Sequence, residues 1–558
     1  MTDLKVTAYE NYKKWVENAD LSLKDDLEKI RSNEKEIVEC FYRDLEFGTG
    51  GMRGKIGVGP NRMNIHTVAR ASQGFADFLK TQNHNLSVVI AYDTRNKSEL
   101  FSRVSAEVFA ANGLKVFLFS RPTATPILSY AVRYLQAAGG LVITASHNPK
   151  EYNGYKVYTS DGTQAVPVYA DIITRNVESL DHFKDVKRSD YEELIKSGMI
   201  QMLDESVFNS YIETVFEYSK GIMGDVDSNL KVVYTPLHGT GLEPVRTLLG
   251  RLGFSLDIVQ QQAVADPGFS TVKVPNPEDK QAFTLALELA KKADADIVMA
   301  TDPDSDRIGV FEKESGDYLA FNGNQIGIAL SYFLLNKMKE KKLLSDNGLI
   351  IKTIVSTDMI KSIADDYGVS VQETLTGFKF IGEKIEYYEK NKEKNFILGF
   401  EESYGYLAGT HARDKDAVVA AALICMLAGE LKKIGSSIGK LLQELSFKYG
   451  FYGEKTLSYE FEGIQGGVKI NEIMSKFRNE PPKEISGCKL AEVIDYSKGI
   501  ANLPKSDVIE LRYGDSKVIA RPSGTEPKIK FYLMVRGDTE QVLQEKIVSF
   551  SNAVFKML

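Results

Sequence analysis

One pattern occurs three times along the chain and restricts its fold more than any other feature. An apolar, β-branched run leads through a polar turn into a helical stretch, a glycine ends the helix, and a second apolar run follows. LSVVIAYDTRNKSELFSRVSAEVFAANGLKVFLF from Leu86, LKVVYTPLHGTGLEPVRTLLGRLGFSLDIV from Leu230 and GLIIKTIVSTDMIKSIADDYGVSVQETLTG from Gly348 all carry it, without obvious residue identity. Gly113, Gly253 and Gly368 fall where a helix C-terminus wants a residue that tolerates left-handed backbone. Continuous apolar strands alternating with helices predict parallel sheets covered on both faces, so the expected fold class is three tandem α/β domains with parallel or mixed sheets. The tail differs: strand SKVIARPS, turn GTEP, strand KIKFYLMVRG and a helix from about Thr539 predict a smaller α+β domain with an antiparallel hairpin. Boundaries near 205, 318 and 440 divide the chain into domains 1–205, 206–318, 319–440 and 441–558. Ahead of the first repeat, Tyr12, Trp15, Val16, Leu23, Leu27 and Ile30 are spaced for the apolar face of a helical lid.

Composition narrows the partners. A net charge of -7 argues against nucleic acid, so any anion site must be built locally. Cys40, Cys425 and Cys488 lie far apart without metal-ligand spacing, which suits a reducing cytoplasm. The first residues lack an apolar signal region, and the longest apolar run, Ala417 to Gly429, is too short to span a bilayer. A cytoplasmic protein without a membrane partner is expected, as a monomer or homodimer.

In open parallel sheets, ligands bind at the carboxyl ends of strands, so polar residues directly after apolar runs are the candidates. Four loops qualify. In LVITASHNPKEYNG an apolar run ends in Ser146, His147, Asn148 and Pro149, with Asn153 to Lys156 just beyond: a hydroxyl, an imidazole and a cation in one loop. The plainer alternative is a serine that caps a helix. In ADIVMATDPDSDRIGV, Asp302, Asp304 and Asp306 alternate after a strand. Two carboxylates about 4 Å apart repel by about 4 kcal/mol at an effective dielectric near 20, so three converging acids demand a cation. A calcium EF-hand counted from Asp302 fails, because Arg307 and Lys313 occupy its Gly and Glu positions. Few acidic ligands plus a substrate phosphate is how Mg2+ is held; a solvated acidic turn is the alternative.

In ILGFEESYGYLAG, Glu401, Glu402 and Ser403 suit sugar hydroxyls, with His411, Arg413 and Lys415 adding positive charge. In ARPSGTEPKIK, Arg521, Ser523, Gly524 and Thr525 offer a guanidinium, hydroxyls and turn amides, the makings of a phosphate cradle, and Lys528 follows. Two further stretches carry cations. EFGTGGMRGKIGVGP surrounds Arg53 and Lys55 with glycines but has no dinucleotide or P-loop spacing, and LTGFKFIGEK places Lys379 after a strand, where a salt bridge is an equal reading.

Together these loops resemble the α-D-phosphohexomutase superfamily of phosphoglucomutases and phosphomannomutases. TASHNP looks like its phosphoserine loop, DPDSDR its metal loop, GFEESYG its sugar-recognition loop and RPSGTEPK its phosphate-binding loop, in the family's order and one per expected domain. The resemblance spans roughly residues 40 to 540 and implies four domains in a heart shape around a central cleft. It implies that Ser146 carries a phosphoryl group and that Mg2+ is held by Asp302, Asp304 and Asp306 together with the Ser146 phosphoryl oxygen. Glu401 and Ser403 would bind sugar hydroxyls, with His411 and Arg413 beside them, while Arg521, Ser523, Gly524, Thr525 and Lys528 hold the distal phosphate. Arg53, His147, Lys156, Arg307 and Lys379 surround the transferring group, Lys156 being the proton-transfer partner. The implied reaction interconverts hexose 1- and 6-phosphates, glucose first, with glucose 1,6-bisphosphate as activator and intermediate.

EESYG, the HARDKD segment and TPLHGTG look like the branch of longer phosphoglucomutases and phosphopentomutases, so mannose and pentose phosphates stay open as substrates. Rival readings are a serine-nucleophile phosphohydrolase and a non-catalytic sugar-phosphate sensor. A haloacid-dehalogenase-type phosphomutase with an Asp302 or Asp304 nucleophile is disfavoured by Asp306, where that motif wants Thr or Val.

Overall fold

The three repeated units end their helices as their glycines require. Gly113, Gly253 and Gly368 adopt φ of 84°, 86° and 67°. The next amides, of Leu114, Phe254 and Val369, reach back to the carbonyls of Phe109, Leu249 and Ala364 at 3.1, 2.9 and 3.0 Å. A Cβ at Gly113 or Gly368 would meet nothing within 4 Å, so backbone conformation rather than space selects glycine there. The structure, a computed structural model, describes all residues except 1, 49, 83–84, 225–228, 462, 501–502 and 524–527.

The first sheet contains β1 (Gly51–Lys55), β2 (Ser87–Tyr92), β3 (Lys115–Phe119), β4 (Gly139–Ile143), β5 (Tyr152–Thr159) and β6 (Ile200–Leu203), in the order β1-β5-β4-β2-β3-β6. The second contains β7 (Lys231–Thr235), β8 (Ser255–Ile258), β9 (Ile297–Thr301), β10 (Ile308–Glu314) and β11 (Asp317–Phe321), in the order β11-β10-β9-β7-β8. The third contains β12 (Gly348–Thr353), β13 (Ser370–Thr374), β14 (Asn395–Glu401) and β15 (Gly405–Ala408), in the order β13-β12-β14-β15. The strand–helix–strand repeat is thus part of a larger one. Each parallel pair gains a third parallel strand, β4, β9 or β14. That strand turns back at once into an antiparallel neighbour, β5, β10 or β15.

The sheets are therefore mixed, and the reason is loop length: only the residues between Ile143 and Tyr152, Thr301 and Ile308, or Glu401 and Gly405 make each return, too few for a parallel crossover. These three returns are the loops rich in polar groups. They come together because the units share one continuous core, through which runs the helix Ala417–Lys433, buried on every side from Ala417 to Gly429. The apolar run near the third unit's end is thus an interior helix. Among the described residues, no helix is long and apolar enough to cross a membrane.

The helix Ile438–Tyr449 runs across position 440 into the fourth unit. There β16 (Phe451–Glu460), the short pair β17 (Glu484–Ile485) and β18 (Cys488–Lys489), β19 (Glu492–Asp495), β20 (Ile509–Tyr513), β21 (Ser516–Pro522) and β22 (Lys528–Gly537) precede the helix Glu540–Met557. The main sheet is antiparallel, in the order β16-β22-β21-β20-β19. It meets the third unit through an apolar patch including Val355, Phe380, Ile519 and Tyr532. Beside that patch Lys352 and Lys517 pair with Asp358 at 2.9 and 3.0 Å.

At the other end of the chain, helices Thr2–Asn18, Lys24–Ile30 and Glu34–Phe41 cover the first unit. Tyr12, Trp15 and Leu27 are buried as expected, but Val16 is 39% exposed and does not belong to the apolar face.

Candidate active site

The site starts from the stereochemistry of Ser146. Asp93, just past β2, accepts a hydrogen bond from Thr144 Oγ1 at 2.6 Å, and the same Thr144 oxygen accepts from the Ser146 amide at 2.8 Å. Ser146 is thereby held at φ 51°, a conformation that costs any residue with a Cβ on the order of 1 kcal/mol or more. Arg95 secures the turn from beneath. Its Nη2 donates to the carbonyls of Ser146 and Asn148, both at 2.5 Å, and its Nη1 to those of Pro149 and Tyr152 at 2.9 and 3.3 Å. The sequence reading missed Arg95, although Asp93-Thr94-Arg95 directly follows an apolar run and satisfies the rule that found the other loops.

Ser146 is 2% exposed, yet its Oγ lies 2.6 Å from Asp302 Oδ2 and 3.1 Å from His147 Nδ1. Burial, helped by the charges of Arg307 and Arg53, holds His147 well below the usual imidazole range, so the ring is neutral.

Asp302, Asp304 and Asp306 occupy the β9–β10 return, and ligand oxygens from the three lie within 4.8 Å of one another, all essentially buried. Asp302 Oδ1 accepts the amides of Asp306 and Arg307, both at 3.1 Å, which curls the turn inward. Lys156 Nζ lies 2.7 Å from Asp304 Oδ2 and 3.2 Å from Asp306 Oδ2, and Lys415 Nζ lies 3.1 Å from the latter atom. Lys156 sits on strand β5, opposite Val142, rather than in the serine loop. Burial opposes its charge, but Asp304 and Asp306 outweigh burial and keep it protonated beyond the usual lysine range. Burial likewise opposes ionisation of Asp306, and there Lys156, Lys415 and Arg307 prevail. At Asp302 the balance falls the other way: burial first, then Asp304 and Asp306, outweigh the charge of Arg307 and push its proton affinity well up.

Two lysines thus answer two of the acids and leave the third uncompensated. Asp304 Oδ1 and Asp306 Oδ1 are buried without a hydrogen-bond partner among the described residues. Orphaned carboxylate oxygens beside an uncompensated third acid fit a divalent cation. Arg307 lies beside this cluster; it pairs with Glu278, and its Nε lies 3.8 Å from Asp306 Oδ1.

The third unit supplies Glu401 at the end of β14, its Oε1 accepting the Gly377 amide at 2.9 Å. Burial raises its proton affinity against the pull of Lys415 and Arg307. Glu402 is pushed up to about 7 by burial and then by Glu401, and accepts from Thr353 Oγ1 at 3.2 Å. Ser403 is half-buried in the return to β15. Lys379 lies in the first turn of the helix Phe378–Asn391; burial first, then the charge of Arg521, lowers it to about 8. Arg521, half-buried at the end of β21, brings the fourth unit to this cluster. The Ser523 amide donates to the Lys528 carbonyl at 2.7 Å, and Lys528 Nζ bonds Glu460 Oε1 at 2.7 Å across to β16. Gly524 and Thr525 lie outside the described residues. Arg53, exposed on β1, donates to Asn148 Oδ1 at 3.0 Å at the rim of the serine loop.

His411 and Arg413 are not brought to the cluster. His411 Nε2 bonds Asp416 Oδ2 at 2.7 Å, an oxygen that also accepts from Tyr211. The fully buried Arg413 pairs with Glu386 and Glu389, and its amide donates to Ser129 Oγ of the first unit at 2.8 Å. Their polar groups join units to one another. Of the three basic residues in that stretch, only Lys415 reaches the acids.

Family models described as phosphoglucomutase/phosphomannomutase, alpha/beta/alpha domains I, II and III, match residues 44–184, 209–316 and 322–449. A curated phosphoglucomutase of Staphylococcus epidermidis (strain ATCC 35984) is 38% identical over 555 residues, covering 97% of this chain and 99% of that protein. One from Staphylococcus aureus (strain USA300) is 37% identical over 547 residues, covering 96% and 97%. Among solved structures, the open form of the phosphoglucomutase pp63/parafusin from Paramecium superposes with a TM-score of 0.69 at 18% identity, covering 92% of this chain and 95% of that one. A phosphoglucomutase/phosphomannomutase family protein from Burkholderia thailandensis gives 0.68 at 18% identity, covering 92% and 97%. At those identities the structures speak for the fold alone.

Proposed function

The chain belongs to the phosphoglucomutase/phosphomannomutase family, and on that premise we propose that it reversibly converts glucose 1-phosphate to glucose 6-phosphate by way of a phosphorylated Ser146. The observation that carries this reading is the 2.6 Å approach of Ser146 Oγ to Asp302, within a buried cluster of three acids and two lysines. Phosphoryl transfer is mostly positioning and charge neutralisation, and this cluster has the parts for both.

In the forward direction the bond between phosphorus and Ser146 Oγ breaks as a sugar hydroxyl oxygen bonds to phosphorus. The hydroxyl loses its proton, and Ser146 Oγ regains one. We assign exchange of the Oγ proton to the neutral imidazole of His147, 3.1 Å away. Lys156, kept protonated by its carboxylate neighbours, serves as a cation and donor rather than a base. Glucose 1,6-bisphosphate results; it turns end for end, and its other phosphoryl returns to Ser146. Arg521, Ser523, Gly524 and Thr525 hold the phosphate that is not reacting, Glu401 and Ser403 take the sugar hydroxyls, and Lys379 and Arg307 flank the group in transit. Mg2+ held by Asp302, Asp304, Asp306 and the phosphoserine oxygen would supply Lewis-acid neutralisation of the transferring phosphoryl. Three free cysteines, with Cys425 buried, fit a cytoplasmic setting.

Purified protein given glucose 1-phosphate, Mg2+ and a trace of glucose 1,6-bisphosphate should form glucose 6-phosphate and release no inorganic phosphate. Stoichiometric phosphate release would make it a phosphohydrolase, and faster turnover of mannose, ribose or deoxyribose 1-phosphate would move the substrate within the family.

Lys379 makes the reaction pH-dependent. With its ammonium lowered to about 8, it is charged below that pH and neutral above it, so its hold on phosphate weakens as pH rises. kcat/KM, which reports the free enzyme, should fall on the alkaline side with an apparent pKa of about 8. Lys379→Arg, charged throughout, should remove that limb; a limb unchanged in the arginine variant would assign it to another group.

A further inference from the structure

The TPLHGTG stretch, Thr235–Gly241 at the end of β7 and just beyond it, provides none of the ionic groups described above, yet two of its residues are tied to different sides of the site. Thr240 donates its amide and its hydroxyl to the same Pro303 carbonyl, each at 2.9 Å. Gly239 lies so close that a Cβ would stand 2.4 Å from Pro303 Cα. The stretch is therefore pressed onto the turn between Asp302 and Asp304. His238, at φ 62° and buried, has both ring nitrogens engaged: Nδ1 is 2.9 Å from the Val264 carbonyl and Nε2 is 2.7 Å from Thr271 Oγ1. Those contacts bracket a loop that carries Phe269 over to the first unit, where the buried ring faces the Arg95 guanidinium with 4.9 Å from carbon to centroid. Arg95 in turn grips four carbonyls of the Ser146 loop.

One unbroken line of contacts thus runs from the acidic turn, through His238 and Phe269, to the backbone of Ser146. We infer that His238, Phe269 and Arg95 are positioning residues that set where Ser146 Oγ stands relative to the three acids, and with it the rate at which Ser146 gains and gives up phosphoryl. Each link suits the task. A cation facing an aromatic ring away from water is held more firmly than one at the surface, and an imidazole bonded at both nitrogens cannot turn. A displacement of 1 Å at a reacting group costs about a hundredfold in rate.

This inference rests on Ser146 as the phosphoryl carrier and extends it to residues that touch neither sugar nor phosphate. The step to follow is charging: a phosphorus–oxygen bond of glucose 1,6-bisphosphate breaks, the bond to Ser146 Oγ forms, and the serine proton ends on the departing sugar oxygen. Dephosphorylated protein mixed with glucose 1,6-bisphosphate and Mg2+, quenched at intervals and weighed intact, reads it directly. Phe269→Leu keeps apolar volume but loses the ring face, and Thr271→Val, at an exposed position, removes the hydroxyl bonded to His238. Both should charge about tenfold more slowly, with KM for glucose 1-phosphate within about twofold of wild type, and Thr271→Ser should restore the rate. Wild-type charging rates in both Phe269→Leu and Thr271→Val, or a change confined to KM, would overturn the inference. Wild-type protein that takes up no phosphate would instead overturn the reading of Ser146 itself.

Discussion

Ser146→Ala should lower mutase turnover by at least about 10⁴-fold while the protein remains folded. The nucleophile disappears, the oxygen 2.6 Å from Asp302, and the other hydroxyl of the return, Thr144, is engaged with Asp93 instead. Stability should change little. Serine and alanine both carry a Cβ, so the strain of φ 51° is common to the two. The groups that shape the turn, Thr144 Oγ1 and the Arg95 guanidinium, act on the amide and carbonyl of residue 146 and not on its side chain. Wild-type protein treated with glucose 1,6-bisphosphate should gain the mass of one phosphoryl group, and the variant none. Turnover in the variant within tenfold of wild type would remove Ser146 from the mechanism.

Asp304→Asn should cost about 10³-fold in kcat and abolish any stabilisation by Mg2+. In wild type, Mg2+ at about a hundred times its dissociation constant should add about 2.7 kcal/mol, enough to raise the melting temperature by several degrees. The reason lies in charge and in unfilled hydrogen bonds. Lys156 bridges Asp304 and Asp306, and Lys415 touches Asp306, so the protein's own cations leave Asp302 uncompensated and two buried oxygens unpaired. An amide at 304 lowers the cluster's charge by one, and what remains is matched by the two lysines alone. Thermal melts with and without Mg2+ check this independently of activity: a variant that keeps the full metal-dependent shift would show that Asp304 is not among the ligands. Chelation of wild type should stop turnover, and added Mg2+ should restore it.

Much of this arrangement was legible in the residues. The strand–helix–glycine repeats appear where they were expected, and the four polar loops lie at strand ends because only there does a covered sheet expose backbone and side chains to a ligand. Arg95 was equally legible and was passed over, although it lies in the polar turn that directly follows the apolar run of β2. Lys156 was placed in a loop, yet it extends from β5, because the short return after Pro149 resumes pairing immediately. His411, Arg413 and Lys415 looked alike, three basic residues within five, and no local rule distinguishes them. Packing does: Ser129 and Glu386 draw Arg413 into an interface, Asp416 ties down His411, and Lys415 alone reaches Asp306.

The sequence by itself determined the elements that depend on near neighbours: helix ends set by left-handed glycines, strands set by unbroken apolar runs, and the kinds of chemical groups gathered at each strand end. Only the tertiary structure decided which of those groups meet. Ser146 and Asp302 are 156 residues apart in the chain and 2.6 Å apart in space. Their meeting depends on a core shared by three units and a buried helix between them. Side-chain stereochemistry acts over a few bonds, whereas the balance of charge among three acids, two lysines and an arginine exists only once burial has removed water from between them.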